Sequence, residues 1–288
     1  MTGPSEPTDP RADEGTTWRP PAREGLFYVV LGTLGGLYVL LIVLMLAADV
    51  LYAARNPWAT ASVLWTPEIR YSAWLSLTSA TVTTILALWS GIPLGYLLSR
   101  HRFPGRRLVD AILDVPVFLP PLVVGLSLLI LFRQTPFKYL DDWCYAAFGT
   151  SIALDVPAVV LAQYAVATAF AVRALQATFD EIPVRTEQVA RTLGASRGQA
   201  FLSVVLPQAH RGVLTAATLA WARALGEFGP ILIFAGTTRG KVEVLPVSVH
   251  LEFAIGNIEG AVGISLLMIA VATVPLVVMR YRQGRSPR

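Results

Sequence analysis

Six apolar runs, each about as long as a bilayer is thick, constrain this 288-residue chain more than any other feature of it. They cover residues 26–51, 72–98, 111–132, 156–179, 213–234 and 261–279. A helix needs roughly 20 apolar residues to traverse a hydrocarbon core ~30 Å thick. Lipid offers no hydrogen-bond partners, so a spanning segment of this kind must satisfy its own backbone as a helix. The expected fold class is therefore an all-α polytopic membrane protein with six transmembrane helices. Charge agrees: 15% of the residues are charged, against about a quarter in soluble domains.

The first run is too long for a cleaved signal peptide, and a polar stretch rather than a short basic one precedes it. That stretch, residues 1–25, is rich in Pro, Thr, Glu and Asp without apolar periodicity, which predicts a disordered tail. The expected organisation continues with a first helix and outer loop over 26–71 and a core of five spans over 72–281. Within the core lies an inner loop at 177–212, and a tail at 282–288 closes the chain. Lys and Arg set the orientation. With the N-terminus inside, 15 of the 23 fall on inner segments, 6 on outer loops and 2, Arg173 and Arg223, within spans. The bias predicts both termini in the cytoplasm. The net charge of +4 then reflects topology, because no concentrated basic face of the nucleic-acid-binding kind exists. The outer segment 133–155, with Trp143, Tyr145 and Phe148, reads as an interfacial hairpin or short helix.

The inner loop carries clear local instructions. Pro183 suits the first turn of a helix, and Val189, Ala190 and Leu193 share one face of it. Gly194 is placed to end that helix in a left-handed conformation. Ser196-Arg-Gly-Gln199 has the form of a capping box that starts a second helix. Phe201, Val204 and Val205 form its apolar stripe, and Pro207 either closes it or turns it into the fifth span. Local physics leaves two uses open for such a pair: lying on lipid headgroups or docking a cytoplasmic partner.

Catalytic chemistry finds little support. Gly236-Thr-Thr-Arg-Gly-Lys241 has the wrong spacing for a phosphate loop and lacks Ser or Thr after the Lys. His101, His210 and His250 are scattered without metal-ligand spacing. Cys144 is the sole cysteine, which rules out an intrachain disulfide. Arg223 and Glu227, at i and i+4 in the fifth run, can pair on one helix face as a structural bridge or flank a pathway as a gate. Gly226, Gly229 and Pro230 weaken the helix there, permitting a break or close packing. The second run holds Ser72, Ser76, Thr78, Ser79, Thr81, Thr83 and Thr84. These hydroxyls read first as helix-packing residues and second as neutral donors along an anion pathway.

The segment Glu187 to Pro207 resembles the signature of ABC-importer permease subunits, E-A-A-x3-G-x9-I-x-L-P. Aligned on Gly194 it fits without a gap, with Val204, Leu206 and Pro207 in the last positions. Gln188 stands at the acidic position, Glu187 lies one residue earlier, and Val189 replaces the first Ala. Ala222-Arg-Ala-Leu-Gly-Glu-Phe-Gly229 is similar to a run in molybdate, tungstate and sulfate permeases. Phe103-Pro-Gly105, Leu119-Pro-Pro121 and the outer segment from Glu243 to Glu252 are also similar to that group.

The resemblance implies a type I importer fold in a prokaryotic inner membrane. It implies a second permease subunit (a homodimer, with a heterodimer as the alternative), a cytoplasmic ATPase and an extracytoplasmic oxyanion-binding protein. It also implies that ATP and Mg are used by the ATPase, with no cofactor on this chain. Glu187, Gln188, Val189, Ala190, Leu193, Gly194, Leu206 and Pro207 are then the expected ATPase-coupling residues. Arg223, Gly226, Glu227 and Gly229 are the pathway or gate candidates. The substrate expected is molybdate or tungstate, then sulfate. The rival from another class is an ion-gradient-driven anion carrier, for which Glu227 would be the coupling acid.

Overall fold

The computed structural model describes residues 22–284, with side chains described over 25–273. The expected tails therefore lie outside the described residues, apart from their inner edges. The chain divides into two compact units, Met1–Leu51 and Tyr52–Arg288. Helix α1 (Ala22–Arg55) carries the first apolar run, and its most apolar window buries none of its residues in the protein.

In the second unit, α2 (Pro57–Leu64) precedes the long α3 (Pro67–Arg100), which holds the second run. Pro67 opens α3 where a missing N–H is no loss, and Arg100 sits in its last turn, where the helix dipole favours a cation. α2 packs on the sixth run: a Cβ at Gly263 would lie 2.7 Å from the Thr60 carbonyl oxygen. Next come α4 (Arg106–Phe118), α5 (Pro121–Arg133) and α6 (Phe137–Phe148). α6 is a short helix in the segment 133–155, where a hairpin or short helix is expected, and Asp141 ties it to the following turn by accepting from Ser151 Oγ at 2.7 Å. α7 (Val156–Glu181) is the fourth run, capped by Asp155, which accepts from the Val156 N–H at 2.8 Å.

The inner loop contains α8 (Val184–Thr192) and α9 (Arg197–Ala200), followed by a π-helical turn over Phe201–Val205. α10 (Leu206–Gln208) leads into α11 (His210–Leu225), then α12 (Gly229–Phe234), α13 (Leu245–Ala254) and α14 (Ile258–Gly284). No strand occurs among the described residues.

The bundle centres on α3, α7 and α11, where Ala80, Ala87, Ala167, Ala171, Ala220 and Ala224 are buried together. Small residues let helix backbones approach closely, the main source of cohesion where lipid removes the hydrophobic incentive. A polar bridge crosses the same seam. Thr83 Oγ1 donates to Gln163 Oε1 at 3.0 Å, and Gln163 Nε2 donates to the Ala224 carbonyl at 3.0 Å. Most other hydroxyls of α3 are spent on packing and local bonds: Ser72 and Thr84 donate to carbonyls one turn back, and Ser76 accepts from the Leu245 N–H at 2.8 Å.

Two of the six expected spans are broken. The third run divides into α4 and α5, bent by 113°. Leu119 and Pro120 each precede a proline, which drives them extended, with ψ of 141° and 132°. Apolar content marks that run as one span, whereas its backbone cannot continue through Pro120-Pro121. The fifth run stops at Leu225 and restarts at Gly229, across Gly226, Glu227 and Phe228. Three helices, Gly25–Arg55, Pro67–Arg100 and Val156–Glu181, are each long and apolar enough to cross a membrane, and the bent pair would make a fourth. α14 contributes a shorter apolar helix over Ile258–Thr273.

The breaks meet each other. A Cβ at Gly229 would stand 2.9 Å from Pro121 Cβ and 3.0 Å from the Leu122 nitrogen; one at Gly125 would stand 2.7 Å from Pro230 Cα. Only glycine allows this approach, and the obstacle at Gly125 is backbone. Gly125→Val is expected to force α5 and α12 apart, an overpacking cost of about 1–3 kcal/mol that lowers the thermal midpoint of the solubilised chain by several degrees. Gly198, with nothing within 4 Å of a built Cβ, is the control site: Gly198→Ala should leave the midpoint unchanged or slightly higher. A midpoint for Gly125→Val equal to the native one would show that the two helices do not touch there.

Candidate functional site

The inner loop folds as two short helices about a glycine turn, as its sequence predicts. Pro183 lies just outside α8 rather than in its first turn: it is the N-cap, with ψ of 129°. α8 ends in a Schellman motif, with the Gly194 N–H donating to the Arg191 carbonyl and the Ala195 N–H to the Ala190 carbonyl, both at 3.1 Å. That closure requires a left-handed residue, and Gly194 has φ +96°. The capping box forms in full: Ser196 Oγ accepts from the Gln199 N–H at 3.3 Å, and Gln199 Oε1 accepts from the Ser196 N–H at 2.8 Å.

Pro207 neither ends the second helix nor kinks it sharply. The turn before it widens into a π-helix, with the Leu206 N–H donating five residues back to Phe201. A π-turn accommodates a residue that has no N–H to give. The helical path then continues through α10 to α11, with a loosened step at Ala209.

The two short helices do different work. The second faces the bundle: Val205 is buried beside Phe179, Leu175 and Ala216, and the Phe201 ring lies 4.6 Å from that of Tyr96. The first presents its apolar side outward, with Val189 53% and Leu193 83% exposed, while Ala190 is half-buried. Glu187 holds this first helix down. Its Oε1 accepts from Tyr96 Oη at 2.8 Å, and its Oε2 lies 4.0 Å from Arg100 Nε. Arg100 also donates from Nη2 to the Ile182 carbonyl at 2.7 Å. Thus Glu187 faces the bundle and Gln188 faces out. Tyr96 and Arg100 were not anticipated as part of this site: they lie some ninety residues away, and an aromatic or a cation at a span's end reads as an ordinary interfacial residue.

At the other end of α11, Arg223 and Glu227 form the expected pair, with Nη1 2.6 Å from Oε2. Glu227 is only 1% exposed, and the Arg223 guanidinium lies 5.6 Å from the centroid of the Phe170 ring. The pair spans the break between α11 and α12, where the Glu227 N–H still donates to the Ala224 carbonyl at 3.2 Å. A Cβ at Gly226 would make only an ordinary contact, 3.6 Å from the Ala222 carbonyl oxygen, whereas Gly229 is the close-packed glycine described above. Arg173, the other basic residue within a span, has partners that its sequence context did not suggest. It donates from Nε to Asp114 Oδ1 at 2.7 Å and from Nη1 to Asp110 Oδ1 at 3.1 Å. The signal was available: Asp114 lies inside the third apolar run, and an acid there calls for a cation. Lys241, in the glycine-rich segment 236–241, pairs with Asp155 at 3.0 Å, a structural use.

The Glu187 anchor can be tested directly. Tyr96→Phe removes a hydrogen bond to a charged group, a type of bond that contributes about 1.5–3 kcal/mol. It should speed amide hydrogen exchange in residues 184–193 by on the order of tenfold, leaving the centre of α7 unchanged. Equal exchange in the variant would remove Glu187 as the anchor.

Comparison with known proteins places this geometry. The family model of the binding-protein-dependent transport system inner membrane component matches residues 91–286, which include the whole inner loop and both parts of the broken fifth run. The chain is 31% identical over 263 residues to the sulfate transport system permease protein CysT of Escherichia coli K12, covering 91% of this chain and 94% of the relative. It is 34% identical over 210 residues to the molybdenum transport system permease protein ModB of the same organism, covering 72% and 90%. Among solved structures, a bacterial ABC transporter involved in the import of the acidic polysaccharide alginate superposes with a TM-score of 0.71. That match covers 93% of this chain and 98% of the other at 17% identity, which bears on the fold alone. The all-helical architecture is that of a type I ABC importer permease. The chain is a multi-pass membrane protein of the binding-protein-dependent transport system inner membrane component family.

Proposed function

We propose that this chain is the transmembrane permease subunit of an ABC importer for a tetrahedral oxyanion, molybdate or tungstate before sulfate. Its relatives named for sulfate and molybdenum transport support the oxyanion class. The observation that carries the mechanical half of the reading is the inner loop: an apolar face, Val189 and Leu193, exposed on a helix that is itself clamped to the bundle. A docking element needs both properties. The face binds the partner, and the clamp passes the partner's motion to the spans.

In this reading six spans place both termini in the cytoplasm, counting each broken run as one span. A cytoplasmic ATPase, using ATP and Mg, docks on Val189, Ala190 and Leu193. Gly194 sets the angle between the two short helices, and Leu206-Pro207 continues the second of them into α11. Closure of the ATPase subunits then favours one of two permease states, and transport follows from alternating between them. An extracytoplasmic binding protein delivers the anion, and a second permease subunit, an identical one in the first instance, completes the pathway. Arg223 and Glu227 hold the α11–α12 break as a neutralised pair. An ion-gradient-driven carrier would call for an acid free to load and release its ion, and Arg223 already engages Glu227.

The sulfate alternative draws on the longer alignment with the sulfate relative, and the molybdate reading on the higher identity to the molybdenum one. Titrating the cognate binding protein with molybdate, tungstate and sulfate decides between them. Tight molybdate or tungstate binding is expected, and tight sulfate binding with no molybdate binding would reverse the order. For coupling, Gly194→Val forces a β-branched residue to φ +96°, at a cost of about 1–3 kcal/mol. It should leave membrane insertion intact while cutting ATP-driven uptake at least about tenfold. Vesicles that retain full uptake and full substrate-stimulated ATPase activity would refute the coupling role.

A further inference from the structure

Helix α4 is built inside out. Its acids face the bundle, where Asp110 and Asp114 are taken up by Arg173 of α7, and Arg106 lies 3.7 Å from Asp110 Oδ2. Its apolar side chains face away from the protein: Leu108, Ile112 and Val115, at spacings of four and three, are 65%, 58% and 47% exposed. On a membrane protein, an outward apolar stripe of this kind lies against acyl chains.

The stripe begins just past the end of an apolar helix. The apolar helix α3 stops at Arg100, and the seven residues after it bring in Arg102, Arg106 and Arg107. Arg102 and Arg107 are exposed, and no ion pair or hydrogen bond engages either side chain among the described residues. Together with Phe103, Gly105, Arg106 and Asp110 they line an open cavity of about 590 Å³. The lining holds three arginines and one acid, Asp110, which Arg106 and Arg173 both engage, so the cavity is cationic.

We propose that this cavity binds the phosphate headgroup of an anionic phospholipid, with the acyl chains lying along the Leu108–Ile112–Val115 stripe. A guanidinium presents paired N–H donors that match two phosphate oxygens, and juxtamembrane arginines attract anionic lipid at about 1 kcal/mol each. A soluble anion would use the arginines alone and leave the stripe without a role. A phospholipid uses both, and in the order in which the structure presents them.

The test is native mass spectrometry of the full chain, released from micelles that hold equal amounts of phosphatidylglycerol and phosphatidylcholine with matched acyl chains. The native chain should retain phosphatidylglycerol preferentially. The double variant Arg102→Gln with Arg107→Gln should lose that preference by on the order of tenfold while keeping phosphatidylcholine. Arg102→Lys with Arg107→Lys should keep most of it, and Arg133→Gln, at the far end of α5, should change nothing. Unchanged preference in the Gln double variant overturns the proposal, as does parallel loss of both lipids. Displacement of the phospholipid by excess inorganic phosphate would make this a soluble-anion site and overturns it as well. Reduced co-purification of an ATPase subunit with lipid preference intact assigns the arginines to a protein contact and has the same consequence.

Discussion

Broken backbone inside a membrane must be covered by protein, and the rest of this fold is arranged around that demand. Lipid cannot satisfy a carbonyl or an N–H left over by an interrupted helix. The third and fifth apolar runs are both interrupted, and they are stacked break against break. Gly229 lies against Pro121, and Gly125 against Pro230. Each interruption therefore supplies part of the other's cover. The glycines are the condition for it, because any side chain at either position meets backbone at or below 3.0 Å. The ionised side chains follow the same logic. Arg223 and Glu227 cancel at one break, and Arg173 gathers the acids of α4 just before the other.

The inner loop meets a different demand: it is fixed to the bundle while an apolar face of it stays exposed. A free amphipathic loop would follow the lipid surface. This one is pinned through aromatic contact of Phe201 with Tyr96 and Phe179, and through Glu187 reaching Tyr96 and Arg100. The π-turn matters to the same end. It lets the chain pass Pro207 and continue into α11, so the loop and the helix bearing Arg223 form one nearly continuous helical path.

Local features of this protein were largely legible in its residues. The Gly194 turn, the Ser196–Gln199 box and the weakness around Gly226 to Pro230 are short-range effects, governed by φ preference, missing N–H groups and hydrogen bonds three residues apart. The Arg223–Glu227 pair follows from helical spacing alone. The break at Pro120 was less visible, because a hydropathy window sums apolar residues and takes no account of the conformation that a proline pair forces on its predecessors. The anchor of Glu187 could not be read locally. The departure from the family signature, with Gln188 at the acidic position, drew attention away from a carboxylate one residue earlier that turns out to face inward.

Sequence by itself determined the solvent, the helical class, the glycine turn and the family, since each depends on composition or on residues a few positions apart. Tertiary structure decided which polar groups meet: Glu187 with Tyr96 and Arg100, Arg173 with Asp110 and Asp114, and Gln163 with Thr83 and Ala224. It also decided that the two broken runs share one contact, and that α4 turns its apolar side outward. Those outcomes depend on how helices distant in the chain come to lie side by side in a medium where every buried charge and every open carbonyl must find a partner. Helical spacing sets the faces a segment can offer, and packing decides what each of them meets.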